Sequence, residues 1–255
     1  MAKATPAVNL AFNVGKFYEL SFATLRQLFR RPFPLKEMFE QAWFIVSVSI
    51  VPTVMMAIPF CVIIVFQLNQ LLTQVGATDL SGAGAGLAVV REIGPLVSVL
   101  VVAGAGATAM CADLGSRTIR EEIDALRVMG IDPIPRLVVP RVLASTGVAV
   151  ALNGAVSLVG LSGSFFFSVY VQHGSPGIFL SSLTLLTNVG DFLVSELKSA
   201  VFGLLAGLVA CHLGLNAKGG PKGVGEAVNQ TVVFAFLLLF LANSIITAVY
   251  LQFRY

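Results

Sequence analysis

Charged residues are scarce in this sequence. Asp, Glu, Lys and Arg make up 11% of its 255 residues, whereas a soluble globular domain carries about 25%. Hydrophobic residues make up 56% of the chain. This composition excludes an ordinary soluble domain and predicts an integral membrane protein. Since long uncharged segments cross a bilayer as helices, we expect an all-α fold.

The sequence also lacks the motifs of an ATP site and of common catalytic centres. It has no GxxxxGK[ST] phosphate loop, and its glycine-rich segment 81–87 (SGAGAGL) contains no lysine. It has no GxSxG motif, and neither His173 nor His212 has a cysteine or carboxylate neighbour at metal-ligand spacing. We therefore expect no catalytic residue, no metal site and no cofactor bound by this chain.

Five segments are long and apolar enough to cross a bilayer, which requires about 20 residues. They are residues 42–67, 93–112, 142–171, 199–217 and 227–253. Segment 174–190 is also uncharged, but its glycines and proline predict an interfacial or re-entrant element. Cys61, Cys111 and Cys211 lie in predicted spans without CxxC spacing, and we expect them to be small packing residues.

The predicted spans have no carboxylate near their centres. Such carboxylates mark proton and ion relays, so their absence disfavours a self-contained secondary transporter. If the protein transports a substrate, the energy is expected to come from another subunit.

The distribution of lysine and arginine predicts the orientation in the membrane. With the N-terminus in the cytoplasm, 13 of the 16 basic residues fall in cytoplasmic segments, and the exceptions are Arg91, Lys198 and Arg254. Cytoplasmic loops carry this excess in membrane proteins. We expect a multi-pass protein of the cytoplasmic (inner) membrane with its N-terminus inside and its C-terminus outside. The net charge of +3 reflects this orientation and does not indicate nucleic-acid binding.

Residues 1–34 are predicted to form an N-terminal interfacial unit. Segment 8–31 is rich in aromatic and basic residues, a composition typical of an amphipathic helix in the membrane interface. Pro32 and Pro34 are expected to end this helix before the first span. The N-terminus has no basic region followed by an apolar core and a cleavage site, so we expect no cleavable signal peptide.

Between the second and third spans lies a charged segment, Arg117–Gly130 (RTIREEIDALRVMG), that predicts a short amphipathic helix. Thr118 and Glu121 form a capping-box pattern, and Gly130 is expected to end the helix. The (i, i+4) pairs Arg117–Glu121 and Arg120–Asp124 would support it. Ile119, Ile123, Leu126 and Met129 fall on one face. Such a helix can link two spans as a solvated loop, lie on the lipid surface, or dock into a partner protein.

Residues 121–133 (EEIDALRVMGIDP) resemble the cytoplasmic coupling helix of the MlaE/YrbE permease family, the membrane subunits of ABC-type lipid transporters. Three further segments resemble family motifs in the same order along the chain: REIGP at 91–95, VGDFLVSELKSAVFG at 189–203, and GLNAKGGPKGVG at 214–225. The closest resemblance is to the YrbE-type permeases of actinobacterial Mce systems. The family resemblance covers residues roughly 30–250, and we interpret residues 35–255 as an MlaE-type permease domain.

The resemblance implies an all-α integral membrane protein with an N-terminal interfacial helix, five transmembrane helices and a cytoplasmic coupling helix. It implies a permease that moves a hydrophobic lipid (phospholipid, fatty or mycolic acid, or sterol) through a cavity shared with a second, non-identical YrbE-type permease. ATP and Mg²⁺ would bind to a partner ABC ATPase dimer, and Mce-family substrate-binding proteins would lie on the outer face.

Two groups of residues are candidates for the functional contacts. The residues expected to contact the ATPase are Glu121, Glu122, Ile123, Asp124, Leu126, Arg127, Met129 and Gly130. The residues that face either a lipid portal and the Mce proteins, or simply the outer interface, are Arg91, Glu92, Asp191, Glu196 and Lys198. We expect Ile123, Leu126 and Met129 to be buried anchors in the ATPase groove.

The chain departs from the family at two positions in the membrane. Segment 103–107 (AGAGA) has Ala105 where many members have an arginine, and Asn243 stands where many have an aspartate. Either the partner permease supplies these charges or the sites are not needed. Two other functions are compatible with the sequence: a scaffold that anchors Mce proteins without moving lipid, and a channel or secondary transporter that works without an ATPase.

The predicted topology can be tested with single cysteine reporters. Gly219→Cys should react with a membrane-impermeant maleimide only from the cytoplasmic side, and Ser175→Cys only from the outer side. The reason is the unequal distribution of basic residues. Labelling of both positions from one side would contradict five spans with the N-terminus inside.

Overall fold

The computed structural model of this chain describes residues 6–28, 35–172 and 174–254, and over these ranges it contains eight helices and no strand. The helices are α1 (Pro6–Leu28), α2 (Leu35–Gln74), α3 (Ser81–Ile119), α4 (Glu122–Val128), α5 (Ile134–Val171), α6 (Pro176–Leu186), α7 (Val189–Leu215) and α8 (Gly220–Arg254). The prediction of an all-α membrane protein is confirmed. Pro32, Pro34 and His173 lie outside the described residues.

Five helices, α2, α3, α5, α7 and α8, are long and apolar enough to cross a membrane. Because successive spans alternate in direction, the bundle has one end that carries α4 and the α7–α8 loop, here called the α4 end, and an opposite end that carries α6, here called the α6 end. Each spanning helix is longer than predicted. The predicted segments contained only uncharged residues, whereas most of the helices continue into charged ones, of which Arg141, Asp191 and Lys198 are buried in the bundle.

The glycine-rich segment 81–87 is part of helix α3 and packs against α6. A β-carbon on Gly82 would collide with the backbone of Phe179 and lie 2.6 Å from the hydroxyl of Ser182. Helix α6 has 11 residues, far fewer than the roughly 20 that a span needs. Segment 174–190, predicted to be interfacial or re-entrant, is therefore a short helix that rests on the start of α3.

Helix α3 is not regular throughout. Its backbone widens into π-helical turns at Leu87–Ile93 and Val102–Ala107. The first turn immediately precedes Pro95, which has no N–H to donate. A π-helical turn shifts the hydrogen-bond register by one residue, so it can pass the proline without ending the span. The second turn coincides with the AGAGA segment, where a β-carbon on Gly106 would lie 3.4 Å from the Ile45 side chain of α2.

The core of the bundle depends on a close approach of α5 and α7. The Ser145 hydroxyl donates a hydrogen bond of 2.5 Å to the Gly203 carbonyl oxygen. A β-carbon on Gly203 would lie 2.5 Å from the Ser145 carbonyl oxygen and 2.7 Å from the Thr146 Cα. One turn further along, a β-carbon on Gly207 would lie 2.5 Å from the Ser145 hydroxyl oxygen. Small residues at this spacing let two membrane helices approach closely.

Gly203→Ala should therefore destabilise the bundle, because two backbones would have to separate. Overpacking of this kind costs about 1–3 kcal/mol. Gly147→Ala is the matched control, since nothing lies within 4 Å of a β-carbon there and alanine favours a helix by about 1 kcal/mol. Thermal melting of the detergent-purified protein measures both. A Gly203→Ala variant as stable as Gly147→Ala would contradict the close-packing account.

Candidate functional site

Helix α4 is shorter than predicted and begins after a break. The preceding span continues to Ile119, and Glu121 then adopts a left-handed backbone conformation with φ of 61°. The predicted start at Arg117 and the capping box of Thr118 and Glu121 are therefore wrong. The Thr118 hydroxyl instead donates to the carbonyl oxygens of Leu114 at 2.9 Å and Gly214 at 3.0 Å. The helical spacing of apolar residues continues from Ile119 to Ile123 across Glu121, so the sequence pattern gave no sign of the break.

The other end of α4 agrees with the sequence. Gly130 has a φ of 75°, and the Ile131 N–H donates to the Leu126 carbonyl oxygen at 2.9 Å. A glycine in this conformation satisfies the last carbonyl groups of a helix. The predicted stop at Gly130 is confirmed.

The apolar residues of α4 divide into two sets. Ile123 is buried in a cluster of residues from this chain: Leu114, Leu137, Val138, Val142, Leu208 and Cys211. Leu126 is half-buried against the same cluster. Val128, 89% exposed, and Met129, 64% exposed, point outward. Ile123 therefore anchors α4 to its own bundle and is not available as an anchor in a partner's groove, whereas Val128 and Met129 are.

The charged residues of α4 form local ion pairs. Arg127 lies 3.0 Å from Asp124 and Arg120 lies 3.2 Å from Glu122. The predicted pairs Arg117–Glu121 and Arg120–Asp124 are not formed, because the break at Glu121 changes the register. A polar cleft of about 580 Å³ separates α4 from α1 and the α7–α8 loop, and Lys16, Glu121, Asp124, Arg127 and Lys218 contribute to its walls.

At the α6 end, the structure brings together most of the residues predicted for a portal. Lys198 is 2% exposed and donates to the Thr247 hydroxyl at 2.9 Å. Asp191 accepts a hydrogen bond of 2.8 Å from the Tyr250 hydroxyl and caps the start of α7 by accepting from the Asn188 N–H at 3.0 Å. These contacts connect α7 to the last turns of α8.

Arg91 and Glu92 of α3 complete this group, here called the outer polar cluster. The Arg91 guanidinium lies 5.5 Å from the centre of the Tyr250 ring and 3.7 Å from the Glu92 carboxylate. A cation over an aromatic face is attracted to it. Glu196 instead faces α5, where a β-carbon on Gly154 would lie 3.6 Å from its carboxylate. Four of the five predicted residues thus share one site, and all of them lie inside helices rather than in loops.

The partners of these residues were not predicted from the sequence. The pattern of Asn188 followed by Asp191 is a recognisable helix-capping signal. Thr247 and Tyr250 gave no signal, because they meet Lys198 and Asp191 only in the folded bundle. At the α4 end, the same is true of Asp113, which lies 2.5 Å from the buried Arg141 and 3.3 Å from Arg117.

The α4 end and the outer polar cluster both consist of ion pairs and hydrogen bonds, several of which join neighbouring helices. Over the residues that the structure describes, no group of three or more His, Cys, Asp and Glu side chains is placed to hold a metal. Cys61, Cys111 and Cys211 are all buried and free. His212 is buried against the edge of the Phe17 ring, with a centroid distance of 5.5 Å. Five helices that are long and apolar enough to cross a membrane, packed into one bundle with short helices at its ends, are the architecture of a multi-pass membrane protein.

Comparison with known proteins identifies the family. Residues 38–249 match the family model described as permease MlaE. The chain therefore belongs to the MlaE permease family, which comprises ABC transporter permeases.

Several relatives are similar over most of the chain. A probable ABC transporter permease protein of Synechocystis sp. is 36% identical over 66% of this chain and 64% of its own length. The chloroplastic protein trigalactosyldiacylglycerol 1 of Arabidopsis thaliana is 33% identical over 73% of this chain and 53% of its own length. A probable ABC transporter permease protein of Rickettsia felis is 28% identical over 96% of this chain and 95% of its own. The matches thus span under two thirds of the first two relatives.

The outer polar cluster can be tested through Tyr250. Tyr250→Phe removes the hydrogen bond to Asp191 but keeps the ring beneath Arg91, so it should lower the free energy of unfolding by about 1 kcal/mol. Tyr170→Phe is the control, because Tyr170 is 63% exposed. Both variants are compared by thermal melting in detergent. Equal melting temperatures for Tyr250→Phe and Tyr170→Phe would show that the Asp191 contact does not stabilise the fold.

Proposed function

We propose that this protein is the permease subunit of an ATP-driven lipid transporter and that α4 is its coupling helix. The observation that carries the proposal is the division of α4 into an inner and an outer set of apolar residues. Ile123 fixes the helix to the bundle, while Val128 and Met129 are exposed at its end. A helix held in this way can pass a displacement from a partner to the spans.

The partner of α4 is proposed to be an ABC ATPase in the cytoplasm. The excess of basic residues on the α4 side supports an orientation with this end inside the cell. A lipid surface is a poorer partner, because the inner leaflet is anionic and Glu121, Glu122 and Asp124 are exposed on α4. Since this chain lacks a phosphate loop, ATP and Mg²⁺ would bind to the ATPase.

The cargo is proposed to be a hydrophobic lipid, with phospholipid, fatty or mycolic acid and sterol as the candidates. In the most apolar stretch of α8, only 11% of the residues are buried inside the chain, and in that of α2 only 28% are. A second, non-identical permease placed against these faces would enclose an apolar cavity lined by α2, α3 and α8. Each buried methylene of an acyl chain gains about 0.8 kcal/mol there. The name of the Arabidopsis relative, which contains that of a glycerolipid, agrees with such a cargo.

The α6 end is proposed to face Mce-family substrate-binding proteins, with the outer polar cluster beside the lipid portal. The cluster supports this role because it combines charges from α3 and α7 with the last turns of α8, whose apolar stretch is the least buried among the five spanning helices. Ala105 and Asn243 leave the proposed cavity uncharged at its middle, which suits a lipid that carries its charge only in the headgroup.

The coupling role predicts that acidic substitutions at the end of α4 release the ATPase. The double variant Val128→Asp, Met129→Asp should reduce the ATPase that co-purifies with the permease by about tenfold or more, since loss of a buried apolar contact of 1–2 kcal/mol has that effect on affinity. Permease abundance should be unchanged, because both side chains are exposed.

Val75→Asp is the matched control. Val75 is 75% exposed and lies at the opposite end of the bundle, so this variant should keep the ATPase. Full retention of the ATPase by the double variant would contradict the coupling role of α4. Retention of Mce proteins by a wild-type complex that contains no ATPase would favour a scaffold, and lipid movement without any ATPase would favour a channel or secondary transporter.

A further inference from the structure

A partly buried ion pair, in which the arginine is fully buried, connects the two spans on either side of α4. The Asp113 carboxylate of α3 accepts a hydrogen bond of 2.5 Å from the Arg141 guanidinium of α5 and lies 3.3 Å from the Arg117 guanidinium. Arg141 is 0% exposed, and its other terminal nitrogen donates to the Leu137 carbonyl oxygen at 2.9 Å. The guanidinium is therefore fixed in place from two sides.

This ion pair closes a loop of the chain around α4. Asp113 and Arg141 are 28 residues apart, and the whole of α4 lies between them. The last part of α3 packs mainly against α7 and α8, whereas α5 packs mainly against α2 and α7. The Asp113–Arg141 pair thus adds a charged connection at the α4 end to two helices whose closest direct packing lies further along the bundle, where a β-carbon on Gly94 of α3 would lie 2.8 Å from the Asn153 Oδ1 of α5.

Further contacts tie the same loop to α7. The Thr118 hydroxyl donates to the Gly214 carbonyl oxygen at 3.0 Å. A β-carbon on Gly214 would lie 2.8 Å from the Cβ of Leu114, so the two helices are in close contact there. Ile123 of α4 is buried beside Leu114, Val142 and Leu208, which belong to α3, α5 and α7 respectively.

We propose that Asp113 is a positioning residue for coupling: by holding α3 to α5 through Arg141, it makes both spans move together when α4 is displaced. The inference rests on the proposed function of α4. Apolar contacts are not directional and allow helices to slide, whereas a charge-assisted pair with guanidinium geometry fixes both distance and orientation. The position of the pair also suits this role, because it joins the end of α3, just before α4, to the beginning of α5, just after α4.

The alternative is that the pair only stabilises the fold. Removing one partner of a buried pair leaves an uncompensated charge and destabilises strongly, but removing both partners is often nearly neutral. The double variant Asp113→Asn, Arg141→Gln therefore separates stability from coupling. Arg141→Lys is a second variant that keeps the charge but loses the guanidinium geometry, and it decides the question if the double variant does not fold.

The experiment uses the complete complex, purified with its ATPase and reconstituted into phosphatidylethanolamine–phosphatidylglycerol vesicles with nitrobenzoxadiazole-labelled phosphatidylglycerol as the probe. Three quantities are measured: the ATPase retained, the ATP hydrolysed, and the probe moved per ATP. For both variants we expect the ATPase retained to stay within about twofold of wild type, while the probe moved per ATP falls about fivefold or more. Asp79→Asn, an exposed substitution at the α6 end, should match wild type in all three.

The possible results have separate meanings. If the folded variants move as much probe per ATP as wild type, the pair is only structural and the positioning role of Asp113 is overturned. If the variants lose the ATPase itself, α4 is misplaced rather than uncoupled, and the positioning role is again overturned. If the wild-type complex holds no ATPase or moves no lipid probe, the proposed function fails, and the inference about Asp113 fails with it.

Discussion

The structure depends on one constraint: within a bilayer, every polar group must find its partner inside the protein. The backbone meets this requirement by remaining helical, even across Pro95 and the glycine-rich starts of α3 and α8. The buried charged side chains meet it through contacts between helices. Asp113 pairs with Arg141 at the α4 end, and Lys198 donates to Thr247 at the α6 end. These contacts allow the spans to continue through charges that would otherwise end them.

Sequence analysis predicted the class of fold because that constraint leaves a clear composition. The five spans follow from the length of the uncharged segments. The short helix between the second and third spans follows from its charged, amphipathic pattern, and its end follows from Gly130. Most of the boundaries did not follow from the sequence, because the predicted segments were limited to uncharged, strongly apolar residues, whereas the helices extend beyond them. Whether a charge ends a span depends on a partner distant in the sequence, and Arg141 lies 28 residues from Asp113. The start of α4 was missed for a different reason: a single left-handed residue, Glu121, interrupts a helix without interrupting its apolar periodicity.

The candidate sites were predicted in the same uneven way. The residues expected at a portal do come together, because four of them lie on the facing ends of α3 and α7. Their contacts with Thr247 and Tyr250 could not be foreseen, since these two residues lie on α8, about 50 to 60 residues further along the chain, and meet α7 only through tertiary packing. The apolar stripe predicted for α4 is divided in the structure, since Ile119 belongs to α3 and Met129 points outward. Ile123 packs into the bundle, and Val128, which the stripe did not include, is the most exposed apolar residue of the helix. The spacing of apolar residues identifies a helix face, but it does not show which of those residues are buried within the chain and which remain exposed for a partner.

The central claim is that α4 carries the contact with an ABC ATPase. Replacing Val128 with the photo-reactive residue p-benzoylphenylalanine tests it directly in intact membranes, with Val75 as the comparison site at the opposite end of the bundle. The account predicts a covalent adduct at position 128 with a protein that contains a GxxxxGK[ST] phosphate loop, identified by mass spectrometry, and no such adduct at position 75. Crosslinking of position 128 only to lipid, or equal crosslinking of both positions to the ATPase, would contradict it.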